Sequence, residues 1–331
     1  MNKKLLKNLK EVWAGCSKGK NRESSAGRGI LLNRYYNFRR KLLKVGAISK
    51  KSLTIAKDEI KLTDDETEEE HDDLVRWLQN TRMVNLVLEN WERTTSKRLS
   101  MLKGSMEIHK YMDGFPALKC SDGYRLLEMD FGNLYPDATM QLYSEWPTLS
   151  SFIISKLPVK EQNAIHDCCT SDGKKIKTLR ALPLLLPIKN IVMKKKLQWR
   201  PSRLEAKDSF IQYVKSAAEV LPTNLRNKEN CFQRGLPLGP HSFAVSPDED
   251  NITECFLIID DTMYNIDSPL KAFDIFFKLF HALHCCYPKQ TERELYFLQK
   301  AVYNIQCHSD KQIRDSKTEG LINEYNRYKP V

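Results

Sequence analysis

The sequence has no stretch of about 20 apolar residues, the length a membrane-spanning helix requires. Its apolar run Ala181 to Ile188 is short and is interrupted by Pro183 and Pro187. Glycine and proline are scarce, 13 and 14 of 331 residues, which excludes collagen-like and low-complexity chains. Nine cysteines occur, but none in a C-x-x-C pair, so no zinc ribbon, thioredoxin motif or standard finger is present. Cys168–Cys169 and Cys285–Cys286 are adjacent pairs, poor geometry for one tetrahedral site; free thiols in a reducing compartment are expected. There is no G-x-x-x-x-G-K-[ST], no G-x-G-x-x-G opening a helix and no H-E-x-x-H. The lack of glycine-rich loops weighs against a nucleotide-dependent enzyme. An uninterrupted apolar stretch is also missing from the amino terminus, where Lys3, Lys4, Lys7 and Lys10 break it, so no secretory signal is expected.

What is present in excess is positive charge, a net +11, unevenly placed. Residues 1–61 hold 17 Lys and Arg against 4 Asp and Glu. Residues 62–73, LTDDETEEEHDD, hold eight acids and no base. This reads as a basic arm carrying a short amphipathic helix over 30–45, followed by an acidic linker. A second basic stretch spans 174–203, with ten Lys and Arg and no acid, and Trp199 beside Arg200. Cations interleaved with an aromatic can track a phosphate backbone and stack a base. The candidate nucleic-acid-binding residues are Lys194, Lys195, Lys196, Trp199, Arg200 and Arg203. A basic surface loop with Trp199 in the core is the competing reading.

The apolar spacing predicts a helical segment over 74–114, with one long helix from about Asp73 to Leu102 carrying Leu74, Trp77, Leu78, Val84, Leu88, Trp91 and Leu99. The main domain is expected over 115–306. Turns at Phe115-Pro116, Asp122-Gly123, Tyr135-Pro136 and Trp146-Pro147 separate short helices, and one or two more follow over 148–168. Residues 178–193 suit an edge strand or an extended buried segment. Ser202 and Glu205 form a capping box, opening a helix with an end near Leu221-Pro222; a loop is expected from 222 to 240. His241–Val245, Thr253–Ile259 and Thr262–Ile266 read as strands. Ser268 caps and Pro269 starts an almost wholly apolar helix that ends at Tyr287-Pro288. Phe273, Phe276, Phe277, Phe280 and Leu283 on it, with Leu298 and Val302 beyond, are the expected core. Thr291 and Glu294 offer a second capping box, and residues 307–331 read as a polar tail. The fold class expected is helix-rich α+β, with a small antiparallel sheet packed on long C-terminal helices.

Two other constellations could carry chemistry. His281, His284 and Cys285 share a helical face, with Cys307 and His308 available to complete a zinc site, but no paired ligand motif supports it and core packing is preferred. Asp260 and Asp261 end an apolar strand, where carboxylates can hold Mg²⁺, with Asp130 and Asp274 as distant partners; a hairpin turn is the simpler reading. No cofactor, metal or catalytic residue is therefore assigned.

Four blocks together carry a resemblance: SDGYRLLEMDFGNLYPD (121–137), KKKLQWRPSRLEAKDSFIQYV (194–214), FLIIDDTMYNIDSPLKAFDIFFKLFHALHCCYP (256–288) and FLQKAVYNI (297–305). Over about residues 115–306 the chain resembles a group of many-copy animal proteins of arthropods and fish. The copy number of that group implies a mobile-element relationship; the resemblance brings no activity, cofactor or catalytic residue. The sequence thus favours a non-enzymatic, intracellular interaction protein, nuclear or cytoplasmic, binding nucleic acid through its basic segments, with protein partners open and no membrane partner. The alternative is a metal-dependent nuclease or transposase-like enzyme, or its inactive remnant. Clustering of Asp130, Asp260, Asp261 and Asp274 would favour the alternative.

Overall fold

The computed structural model describes residues 68–103, 106–192, 198–307, 313 and 315–329. The basic arm with the helix expected over 30–45, the first half of the acidic linker, Lys194–Lys196 and His308 lie outside the described residues. The chain divides into two units, Met1–Glu70 and His71–Val331, and the fold below is that of the second.

Where one long helix was expected, three occur: α1 (Glu68–Leu78), α2 (Val84–Arg93) and α3 (Thr95–Lys103). The apolar stripe continues across them, but Asn80 and Thr81 close α1 through bonds back to its last turn. The acidic linker is helical from Glu68 onward, as acids at a helix start allow. After α4 (Ile108–Gly114) come α5 (Tyr124–Leu134), α6 (Gln141–Lys156), α7 (Val159–His166) and α8 (Ser171–Ala181). α6 runs through Pro147, which was expected to end it. The ring is exposed, while Leu142, Leu149, Phe152 and Ile153 are buried on the opposite side. Burial of four large side chains outweighs the roughly 3 kcal/mol cost of an interior proline.

Residues 178–193 do not form one extended segment. They complete α8, make a short 3-10 turn at Leu182–Leu184, and end in β1 (Ile191–Val192), which pairs antiparallel with β2 (Gln198–Trp199). The capping box opens α9 (Arg203–Phe210) with both of its bonds, Glu205 N–H to Ser202 Oγ at 3.0 Å and Ser202 N–H to Glu205 Oε2 at 2.8 Å. That helix stops at Phe210, because Gln212–Val214 finds an open edge and becomes β3. The supposed loop is helix α10 (Val220–Arg234), capped by Gly235 at φ 63°. Pro222 had suggested a stop. In the first turn of a helix proline loses no bond, so it marks a start instead.

The main sheet has the order β3–β4–β5–β6, with β4 (His241–Val245), β5 (Glu254–Ile259) and β6 (Thr262–Ile266) antiparallel and in sequence. β3 pairs parallel to β4, which the crossover through α10 permits, so this sheet is mixed while the β1–β2 pair is antiparallel. The protein is helix-rich α+β, as expected.

The apolar helix is α11 (Pro269–Ala282), with Ser268 Oγ accepting from Lys271 N–H. It lies between the sheet and the helices α5 and α8. Phe273, Phe276, Phe277, Leu298, Phe280, Leu283 and Val302 are all buried, the first four completely. α12 (Glu292–Ala301) and α13 (Ser316–Tyr328) complete the core. α13 lies within the expected polar tail, and it is no fraying end. Asp315 caps it, Leu321, Ile322 and Tyr325 are buried, and it packs on α12 and α6. Three apolar residues in a polar stretch are a narrow stripe, but enough for a helix held at its start.

Candidate functional site: a basic surface and its clefts

The basic stretch 174–203 separates into two sets. Lys175 pairs with Asp172 at 2.8 Å, Lys177 with Asp250, Arg180 with Asp208 at 2.9 Å, and Lys189 with Asp315 at 3.1 Å. Arg180 is buried and also donates to the Ile211 carbonyl, so it holds α8 to α9 and β3. These cations serve the fold. Lys174, Arg200 and Arg203 are exposed, and no ion pair engages them among the described residues. β2 and the start of α9 place Arg200 and Arg203 within four residues of each other, joined by the buried Pro201. Trp199 is half-buried, and the Arg234 guanidinium lies 3.8 Å from its ring centroid. Arg234 is in turn fixed by Glu205 at 3.2 Å. One face of this indole is therefore already stacked within the chain.

The four carboxylates are held in three separate places, each by a cation. Asp130 on α5 accepts from Arg98 at 2.8 and 3.0 Å and from the Trp91 indole at 3.1 Å, with Thr95 and Tyr111 completing a fully buried cluster. Burial raises the Asp130 carboxyl above its ordinary value, and Arg98 opposes the rise. Asp274 on α11 accepts from Lys278 at 2.5 Å and from the Tyr303 hydroxyl at 2.8 Å. Asp260 and Asp261 are the two residues of the β5–β6 hairpin, Asp260 at φ 52°, and Lys228 of α10 reaches both at 2.9 and 2.6 Å. Among the described residues no three His, Cys, Asp or Glu side chains form a metal-binding group.

The His281 cluster is likewise dispersed. α11 ends at Ala282, and His284 takes φ 50°, so His284 and Cys285 leave the helical face that spacing suggested. His281 meets the Tyr287 hydroxyl at 2.9 Å and packs against Phe131, Tyr135 and Phe277. Cys307 contacts the Tyr135 hydroxyl at 3.7 Å. Burial pushes the Cys285 thiol well above its ordinary value.

Two clefts among the described residues have cations on their walls. One, of about 190 Å³, lies between α9, α10 and residues 286–290. Its carboxylates Glu205 and Asp208 are the ones bound to Arg234 and Arg180. His241 borders it, joined to Asn224 at 2.7 Å, and burial lowers this imidazole to about 4, so it is neutral at physiological pH. The other cleft, of about 430 Å³, opens between α6, α7 and α8; Trp146, His166, Lys174 and Lys175 line it, and no carboxylate does. Sequence reasoning missed this cleft because its walls come from three helices, and no local spacing relates residues 146, 166 and 174. It also missed the outer face of α10, where Leu221, Leu225 and Phe232 are 53, 67 and 84% exposed on one helical stripe.

Comparison with protein families, curated proteins and solved structures finds no match to this chain. Among the described residues no helix is long and apolar enough to cross a membrane.

Proposed function

We propose that this chain is a non-enzymatic interaction protein that binds nucleic acid electrostatically, through Arg200, Arg203 and the lysines 194–196 that precede them in sequence. The observation that carries the reading is the division of the basic stretch. Four cations are spent on internal carboxylates, while Arg200 and Arg203 are exposed with no ion pair among the described residues. Such cations attract phosphates by counterion release, without reading sequence. The metal-dependent alternative is disfavoured by what engages the acids: Asp130 and Asp274 are buried against Arg98 and Lys278, and Lys228 spans Asp260 and Asp261. On this reading the chain acts where nucleic acid is found, in the nucleus or cytoplasm.

Salt-dependent binding of the full chain to duplex DNA tests the proposal. If five residues each neutralise one phosphate, log K falls with log salt at a slope of about −4 to −5. Changing Lys194–Lys196 to Ala flattens that slope by about 3, and Arg200→Gln with Arg203→Gln by about 2, equally for all sequences. An unchanged slope, or no binding by the native chain at low salt, overturns the reading.

A further inference from the structure

Two of the described tryptophans already carry an arginine on one face. Arg98 lies 3.7 Å from the Trp91 ring centroid, and Arg234 covers a face of Trp199. Trp146 differs. It is half-buried on α6, its side chain takes part in no ring stack, cation contact or hydrogen bond among the described residues, and it forms a wall of the 430 Å³ cleft. Ile154 and Ile165 add apolar surface to that cleft. Lys174, exposed and without an ion pair among the described residues, brings positive charge from α8, where Lys175 is half-buried and held by Asp172 at 2.8 Å. His166 brings a third nitrogen base from the end of α7. The cleft therefore joins a bare indole, an apolar floor and one ammonium group, Lys174, with no ion pair among the described residues, beside Lys175 that Asp172 holds.

That combination selects for a ligand with a flat aromatic part and an anionic part a few ångströms away. A purely apolar ligand would leave the Lys174 ammonium unanswered, and free phosphate would leave the indole and isoleucines wet. The volume lies within the range of small-molecule sites, about 300–1,000 Å³. Base–aromatic stacking is tolerant of base identity, because every base has a π-face. We propose that this cleft holds one nucleotide, its base against Trp146 and its phosphate on Lys174. It gives the basic surface a second element, which takes up one unstacked base of a single strand. The inference rests on the nucleic-acid reading for the source of that nucleotide, not for the chemistry of the cleft.

The experiment follows tryptophan fluorescence and affinity of the full chain with a single-stranded oligothymidylate, with the matching duplex and with AMP. The single strand is expected to quench fluorescence, and the duplex, whose bases are stacked, is expected not to. In Trp146→Leu the quench disappears and affinity for the single strand falls roughly tenfold. In Lys174→Gln, a surface variant, the slope of log K against log salt on the single strand flattens by about 0.7. Quenching by AMP that Trp146→Leu removes, without binding of any strand, supports the cleft and identifies a free nucleotide as its source, while the nucleic-acid reading of the surface fails. If instead Arg200→Gln with Arg203→Gln weakens strand binding and the Trp146 and Lys174 variants behave as the native chain, the cleft proposal is overturned and the surface reading stands. Absence of quenching by all three probes overturns the cleft proposal as well.

Discussion

The Arg98 guanidinium and the Asp130 carboxylate, 32 residues apart, meet at 2.8 Å with both side chains wholly removed from solvent. They tie α3 to α5, and Trp91, Thr95 and Tyr111 satisfy the remaining valences. Replacing Asp130 with Ala leaves a buried guanidinium without its anion, which costs about 3–5 kcal/mol. Urea denaturation of the two proteins measures this. A loss below about 1 kcal/mol would show that the cluster is reached by water.

Phe277 is completely buried, and its ring stacks on Tyr303 at 3.9 Å and 5°. Phe277→Ala is expected to cost about 3–5 kcal/mol. Phe232→Ala, at a side chain 84% exposed, is expected to change stability by less than about 0.5 kcal/mol. The pair of variants, measured by the same denaturation, separates core from surface aromatics.

Two buried groups give opposite pH dependences. Burial raises Glu294 of α12 to about 7. Its folded value exceeds its unfolded one, so its contribution is complete below about 4.5 and is lost as pH rises towards 7. Burial lowers His241 to about 4. Its contribution is complete above about 6.5 and is lost as pH falls towards 4. Each amounts to about 3 kcal/mol, and the two slopes offset one another between about pH 4.5 and 6.5. Thermal melts from pH 4 to 8 are expected to show Glu294→Gln with less loss of stability above pH 6.5 than the native chain. His241→Gln is expected to show less loss below pH 6. Parallel profiles for all three proteins would contradict both assignments.

Asp315 caps α13 and accepts from Arg293 at 2.7 Å, which joins the C-terminal helix to α12. Asp315→Ala removes the cap and strands a buried arginine, at a cost of about 3 kcal/mol. Hydrogen exchange over residues 316–328 is expected to lose its protection first. Retained protection there would mean that Leu321, Ile322 and Tyr325 hold the helix without its cap.

The legible parts of the sequence were those where local chemistry and burial agree. Ser268-Pro269 and the phenylalanines after it specify α11, and the alternation from His241 to Ile266 specifies three strands, each without outside information. The errors share a cause: a local signal with two meanings. Pro222 stops a helix or starts one, and here it sits in the first turn of α10. Thr291 and Glu294 suit a capping box, but the Thr291 hydroxyl meets Ser209 at 3.1 Å instead and caps nothing. Tyr213 and Val214 fit a helical stripe until β4 offers them an edge. Ten basic residues in one stretch looked like one surface. Only their partners, Asp172, Asp208, Asp250 and Asp315, show which of them remain available, and three of those four acids lie outside the stretch by 5 residues or more.

Helix α5 packs on α11, and Phe131 meets His281 across that junction at 5.8 Å. During synthesis at about 5–20 residues per second, some 150 residues separate their emergence, a wait of roughly 8–30 s. For that interval Leu126, Leu127 and Phe131 have no partner from the C-terminal half, while Asp130 can already find Arg98. Growing chains therefore pass through a stage in which the Arg98–Asp130 pair is formed while the apolar face of α5 is still open, and in it the protein is most exposed to aggregation and to chaperones.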